Sequence, residues 1–413
     1  MMSRFCPACA VDHPLWVCAF RPFFLFAAIT APLLIGAWGL VLAFGLPLPS
    51  LSGGPAVWHA HELLFGFGIA GVAGFTLISL PEFAGAADLR PSVVRVLAGL
   101  WLAGRIAFWL SGPLGSAGLV LSALAHLALL IGMIALLAPD MWRQPERPHL
   151  AFFWIFVALI VVVAGFYVDA LRGVDPARWL HACLGIFMAL IVVAMSRISW
   201  YVVNRHIDKL AITGVEYRAR PPRRNLAVFC ISAYTVAEFF MPQAAIGGWL
   251  ALAAAAALLN LLNDWHIGRA LFQRWPFMLY SVYVFMALGY GVMGLALLTD
   301  GGAVSAGRHL LTIGAFGLNI YVVMSIAGRM HCGYTFDDRP WVPAGALLLA
   351  LAALLRAGVA WPGAPARLLL ALAAVCWVVA FLLCVRYFWP LFTRPRFDGA
   401  GGCAGVQPTP DTQ

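Results

Sequence analysis

Residues 58–80 read WHAHELLFGFGIAGVAGFTLISL. From Leu63 to Leu80 the stretch carries no charge, and its apolar residues run on without alternating. About 30 Å of hydrocarbon takes roughly 20 helical residues to cross. A chain inside it must satisfy its own backbone donors and acceptors. The stretch therefore predicts a transmembrane helix, and the lack of alternation excludes a transmembrane β-barrel.

Working outward, the same reading repeats. Spans are predicted at 23–45, 58–80, 93–111, 114–138, 149–171, 179–203, 225–241, 245–263, 277–298, 308–328, 341–359 and 366–389. The seventh and eighth are separated mainly by Met241-Pro242-Gln243. The expected fold is all-α: a polytopic membrane bundle of about twelve transmembrane helices over 23–389, with tails at 1–22 and 390–413. Composition agrees. The 413 residues are 63% hydrophobic and 10% charged, where a soluble domain is nearer half apolar and a quarter charged. A disordered chain and a soluble enzyme are both excluded. The run from Phe23 to Gly45 is too long for a cleaved signal and more spans follow it.

The net charge is +9. The arginines lie between apolar runs rather than in one patch, which argues against a nucleic-acid partner and for orientation in the bilayer. With the N-terminus in the cytoplasm, Arg172, Arg178, Arg308, Arg356 and Arg367 fall outside and Arg105 and Arg197 within spans. The other nineteen of the 26 basic residues fall inside. That bias predicts both termini in the cytoplasm. The loop 204–224 is the largest and most basic, and reads as an orientation signal before it reads as a site for anionic headgroups.

Ionisable groups within spans are functional candidates. His59, His61 and Glu62 begin the second span at its outer end. His181 begins the sixth and His309, beside Arg308, the tenth. Arg105, Asp169 and Glu238 lie toward the outer ends of the third, fifth and seventh. Three segments echo one another: HELLFGFGIAGVAGFTLIS from His61, HACLGIFMALIVVAMSRIS from His181 and HLLTIGAFGLNIYVVMSIAG from His309. Their spacing, about four helices each time, suggests three parallel four-helix units offering one histidine each to a shared outer-leaflet site. The competing explanation is that small residues recur because membrane helices pack through them.

Imidazole suits haem iron, copper and zinc. His59 and His61 are two apart, about 200° around a helix, so they face one ion only if the helix starts between them. Otherwise they serve different centres. Glu62, three residues from His59, shares its face and is placed to orient that ring or carry protons. Glu62 and Arg105 are the candidate catalytic residues. His126 reads as a buried hydrogen-bonding residue, while His266 and His331 read as caps of helix ends. Nine cysteines in an odd, scattered set argue against a disulfide framework. Cys6-Pro7-Ala8-Cys9, with His13 and Cys18 nearby, is a lone CxxC able to bind metal or act as a redox pair. There is no P-loop, GxSxG or HExxH.

Several blocks carry a family resemblance. Phe20-Arg21-Pro22-Phe23-Phe24 and Trp58-His59-Ala60-His61-Glu62 are followed by Leu100-Trp101-Leu102-Ala103-Gly104-Arg105, Ser196-Arg197-Ile198, and the run from His309 through Gly314 and Met324 to His331 and Gly333. Together they resemble the NnrS family over about 20–335. The resemblance implies a bacterial inner-membrane protein containing haem b and copper, associated with nitric oxide and resistance to nitrosative stress, often near denitrification genes. It implies His59, His61, His181 and His309 as ligands of cofactor and metal, with His331 as a weaker metal candidate. This chain departs from the pattern in its ninth span, which has no histidine, at Met195-Ser196 before Arg197, and at Ala327-Gly328. The leading expectation is a protein that binds or consumes nitric oxide within the bilayer; if an enzyme, it is a metal-dependent oxidoreductase. The alternatives are a transporter of a small ion, metal or metabolite, and a non-catalytic sensor or assembly partner.

Overall fold

A computed structural model describes residues 13–49, 51–143, 146, 149–299 and 304–405. Among these residues the chain is helical, with no strand. Twelve long helices follow in order: α1 Phe20–Phe44, α2 Pro55–Ala84, α3 Pro91–Trp109, α4 Ser116–Arg143, α5 Leu150–Leu171, α6 Ala177–Lys209, α7 Pro221–Phe240, α8 Ala245–Trp265, α9 Arg274–Leu298, α10 Val304–Met330, α11 Trp341–Gly358 and α12 Ala366–Phe392. Eleven are long and apolar enough to cross a membrane. The exception is α7, whose first turn holds Pro221-Pro222-Arg223-Arg224 and whose last holds Glu238. Helix α6 runs on to Lys209, so the expected loop 204–224 shortens to 210–220, and α12 continues to Phe392, past the expected start of the tail.

Neighbours in sequence are neighbours in space, and α12 packs back on α1. Three helices are set apart by burial. The most apolar window of α2 is 89% buried and those of α6 and α10 are 78%, against 33–56% for the other eight. These are the helices that carry the echo. They meet on small residues and rings: Phe187 of α6 and Phe316 of α10 stack with centroids 4.7 Å apart. A Cβ on Gly68 of α2 would stand 2.8 Å from Phe316. The outer helices turn Leu, Val, Phe and Trp side chains outward, as a lipid-facing shell requires.

Two of the inner helices are not regular. Glu62–Gly68 in α2 and Leu310–Gly317 in α10 are π-helical, each beginning directly after a histidine. Such widened turns concentrate at functional sites. Cys18, just before α1, is disulfide-bonded to Cys403, beyond α12. The cysteine pattern argued against a framework of disulfides and gave no sign of this one, which joins residues 385 apart because Cys18, before α1, and Cys403, after α12, lie at one end of the bundle. That end is called the terminal face below, and the opposite end the far face. Cys6 and Cys9 lie outside the described residues.

Candidate functional site

His59, His61, Glu62, His181 and His309 all lie at far-face helix ends, at the starts of α2, α6 and α10. Their side chains do not converge on one point. They divide into three groups.

The first is a closed ring of side chains from α2, α3, α4 and α5, buried throughout. Arg105 donates to the Glu62 carboxylate and to Nε2 of His126. Nδ1–H of His126 donates to the Tyr167 oxygen at 2.7 Å. The Tyr167 hydroxyl in turn donates to Nε2 of His61 at 3.0 Å, and Nδ1–H of His61 donates to Glu62 Oε1 at 3.1 Å. This is the set of tautomers in which each donor meets an acceptor. Trp109 Nε1–H adds a bond to Glu62 Oε2 at 2.8 Å, and Ser122, 2.6 Å from the Tyr167 oxygen, donates to the carbonyl of Gly104. Two glycines make room: a Cβ on Gly66 would meet Arg105 at 3.2 Å, and one on Gly104 would meet His126 at 3.0 Å. The widened turn of α2 also leaves the Gly66 carbonyl to accept from Trp101 Nε1–H at 3.1 Å.

The ring revises one reading of the sequence. Glu62 holds His61, not His59, because α2 is already helical from Pro55 and turns the two histidines apart. Both nitrogens of His61 are engaged within the protein. Tyr167 and Ser122 were missed by the sequence reading, and His126 was left as an isolated buried residue. A tyrosine in an apolar run carries no charge, and nothing local in the sequence signals its partners.

The second group pairs α2 with α10. His59 and His309 lie within electrostatic range of each other and of Arg356 from α11. The His59 ring stacks on Trp38 of α1 at 4.6 Å, and its Nδ1 is buried with no hydrogen-bond partner. Nδ1–H of His309 donates to the carbonyl of Ser305 at 2.7 Å, which leaves Nε2 as the lone-pair nitrogen. A metal-ligating imidazole is held in this way by its second nitrogen.

The third group lies between α6, α7, α9 and α10. His181 Nδ1 is 4.0 Å from Glu238, which accepts from Arg308 at 2.5 Å. Tyr234 and Tyr290 line the same cavity, whose free volume of about 10 Å³ holds about one water molecule. The Tyr234 hydroxyl and Arg308 Nε are buried there without a protein partner. A Cβ on Gly185 would overlap Thr235, so glycine lets α6 and α7 close on this site. Asp169, by contrast, is engaged by Arg178 and Trp179.

His331 stands apart at the terminal face. Its Nδ1–H donates to the carbonyl of Cys403 at 2.6 Å, and its Nε2 is 3.6 Å from Glu82. Burial holds it below the usual histidine range, against the pull of Glu82.

Among the described residues, no three His, Cys, Asp or Glu side chains gather around one point as ligands of a bare ion. The histidines with a ring nitrogen left unengaged are His59, whose Nδ1 is buried without a partner, and His309, whose Nε2 keeps its lone pair.

The molecule is a helical membrane protein, with three histidine-bearing inner helices opening on one face. A family model described as "NnrS protein" matches residues 14–396, and the chain belongs to the NnrS family. No curated protein matches the chain. A solved structure described as the cryo-EM structure of a heme-copper terminal oxidase dimer is similar in fold. It has a TM-score of 0.63 and 12% sequence identity, over 95% of this chain and 85% of that one.

Proposed function

We propose that this protein is a haem-containing member of the NnrS family that binds or consumes nitric oxide within the bilayer and so protects against nitrosative stress. The observation that carries the reading is the His59–His309 pair. These two imidazoles from two inner helices are the residues that would hold a haem iron. Arg356 beside them disfavours a bare dication and suits the carboxylates at the edge of haem b. Bound haem would supply one-electron chemistry at iron, and neutral nitric oxide reaches it through lipid. The His181–Glu238 site does not fit a copper ion by the same argument, because the Glu238 carboxylate is already paired with Arg308.

The chain's own residues handle protons. Glu62 is the one carboxylate of the ring, and the bonds through His61, Tyr167 and His126 link it to Arg105. The imidazole and hydroxyl donors all point one way around the ring, toward Glu62, which makes Glu62 its proton-accepting end, while Arg105 can only donate. Arg105 orients the carboxylate by donating to it.

The purified protein's visible spectrum and its iron and copper content test the proposal. A Soret band lost in His59→Ala and in His309→Ala, but kept in His61→Ala, is the expected result. Absence of haem and metal after haem-sufficient expression overturns it and favours transport. Nitric oxide consumption by the reduced protein then separates an enzyme from a sensor.

A further inference from the structure

The terminal face carries a polar cleft where the connection 210–220 meets the start of α7 and the end of α8. Its free volume of about 400 Å³ is within the range of small-ligand sites. Arg218, Arg220 and Arg223 line it together with Asn263 and His266. Read from sequence, these arginines were an orientation signal and His266 a cap.

The walls of the cleft are held from beneath. Tyr217 is buried, and Asn204 of α6 grips its backbone: Oδ1 accepts from the Tyr217 N–H at 2.8 Å, and Nδ2 donates to its carbonyl at 3.1 Å. The Tyr217 ring packs on Trp265 at 4.9 Å. Asp264, also buried, accepts from the Arg220 backbone N–H at 3.0 Å, from the Arg220 guanidinium at 2.9 Å and from Arg223 at 2.6 Å. The arginines are therefore placed before a ligand arrives, and less ordering is left to be done on binding.

One carboxylate serves two guanidiniums. Arg220 and Arg223 each spend one terminal nitrogen on Asp264, and a guanidinium has five N–H groups. Arg218 is paired with Glu216, but both are exposed, where such a pair is weak and easily exchanged. Three arginines against two carboxylates leave one positive charge in the cleft. Apolar surface leads away from it. Leu226 lies one turn beyond Arg223 and Phe229 one turn further, and Leu259 lies one turn before Asn263; all three are exposed. Helix α7 packs mainly on α6 and α8, so its other side faces lipid.

We propose that this cleft binds the phosphodiester of an anionic phospholipid, whose acyl chains lie along the outer side of α7 and α8. The unspent N–H groups of Arg220 and Arg223 donate to the unesterified phosphate oxygens, the charge-assisted geometry that guanidinium favours. The single negative charge of a phosphodiester matches the single positive charge left in the cleft. A zwitterionic headgroup would bring an ammonium group among the arginines and is disfavoured. A free phosphate shares the chemistry but makes no use of the apolar flank. The bound lipid neutralises the first turn of α7, the helix whose arginines dilute its apolar character.

The full-length protein, delipidated in uncharged detergent, is titrated with phosphatidylglycerol, phosphatidylethanolamine or inorganic phosphate. Binding is read by native mass spectrometry and by the thermal midpoint. The wild type is expected to bind phosphatidylglycerol in preference to phosphatidylethanolamine and to be stabilised by it. R220Q/R223Q/D264N removes the paired arginines without leaving a buried carboxylate alone, and should weaken phosphatidylglycerol binding by about tenfold or more. Asn263→Asp, an exposed change that adds a negative charge to the cleft, should weaken it as well. Arg386→Gln, on α12, removes the same net charge as the triple variant and should bind as wild type does. Equal affinity in the wild type and the triple variant, an equal loss in Arg386→Gln, or no preference over phosphatidylethanolamine overturns the proposal. Displacement of the lipid by millimolar inorganic phosphate assigns the cleft to free phosphate and overturns the lipid reading. If the triple variant fails to fold, unchanged binding in Asn263→Asp overturns the proposal by itself.

Discussion

The ring Glu62–His61–Tyr167–His126–Arg105 shows what one residue costs in this interior. Each member satisfies its neighbours, so removing one leaves a buried polar group unpaired, at about 1–3 kcal/mol for a neutral group. Losing one partner of a buried ion pair costs more, about 3–5 kcal/mol. Tyr167→Phe should therefore lower the thermal midpoint of the detergent-solubilised protein modestly, and Arg105→Ala severely. Equal effects would show that the ion pair is not the dominant member. Both should keep the Soret band that the proposed haem would give, because neither residue belongs to the His59–His309 pair. The sequence marked Glu62 and Arg105 through their charge. It could not mark Tyr167, which meets His61 across 106 positions.

Elements decide which histidine points where. The widened turns after His61 and His309 and the glycines at 66, 68 and 185 let the inner helices approach closely. Gly185→Leu forces side-chain atoms into Thr235, and overpacking of this kind costs about 1–3 kcal/mol. Lower yield and a lower midpoint are expected, and wild-type behaviour would show that α6 and α7 can move apart. The connection between α10 and α11 allows a pH test. Burial pushes the Asp337 carboxyl up. The hydrogen bonds from Arg339 and Trp341 and the charge of Arg329 outweigh that and hold it at about 2. A depressed carboxylate stabilises the fold above its unfolded value near 4 and loses that contribution as pH falls toward 2. Wild type should lose thermal stability over that interval. Asp337→Asn should start less stable and change less, and parallel pH profiles would remove Asp337 as the cause.

At the scale of the molecule, nine of the long helices among the described residues surround three, and the fold is similar to that of an oxidase at 12% identity. So low an identity carries the arrangement of helices and not the ligands. The basic bias predicts the terminal face in the cytoplasm. An alkaline phosphatase fusion after Gly173 should be active and one after Gly405 inactive, and the reverse pattern would invert the protein. The count of about twelve helices was legible in the apolar runs. Only α7 sat at the margin, where two arginines and two prolines dilute its first turn.

The sequence by itself determined the helices and their order, the end of the bundle that holds most of the arginines and the depth of the histidines. Each of these follows from local chemistry, because hydrocarbon judges every twenty-residue window alone. It did not determine that His59 turns to His309 while His61 turns to Tyr167, nor that Cys18 finds Cys403. Those choices depend on partners more than a hundred residues away. Two histidines set about 200° apart on one helix have no preferred neighbours until other helices are packed around them. Tertiary packing therefore turned one expected site into a sealed ring, an imidazole pair and a small polar cavity.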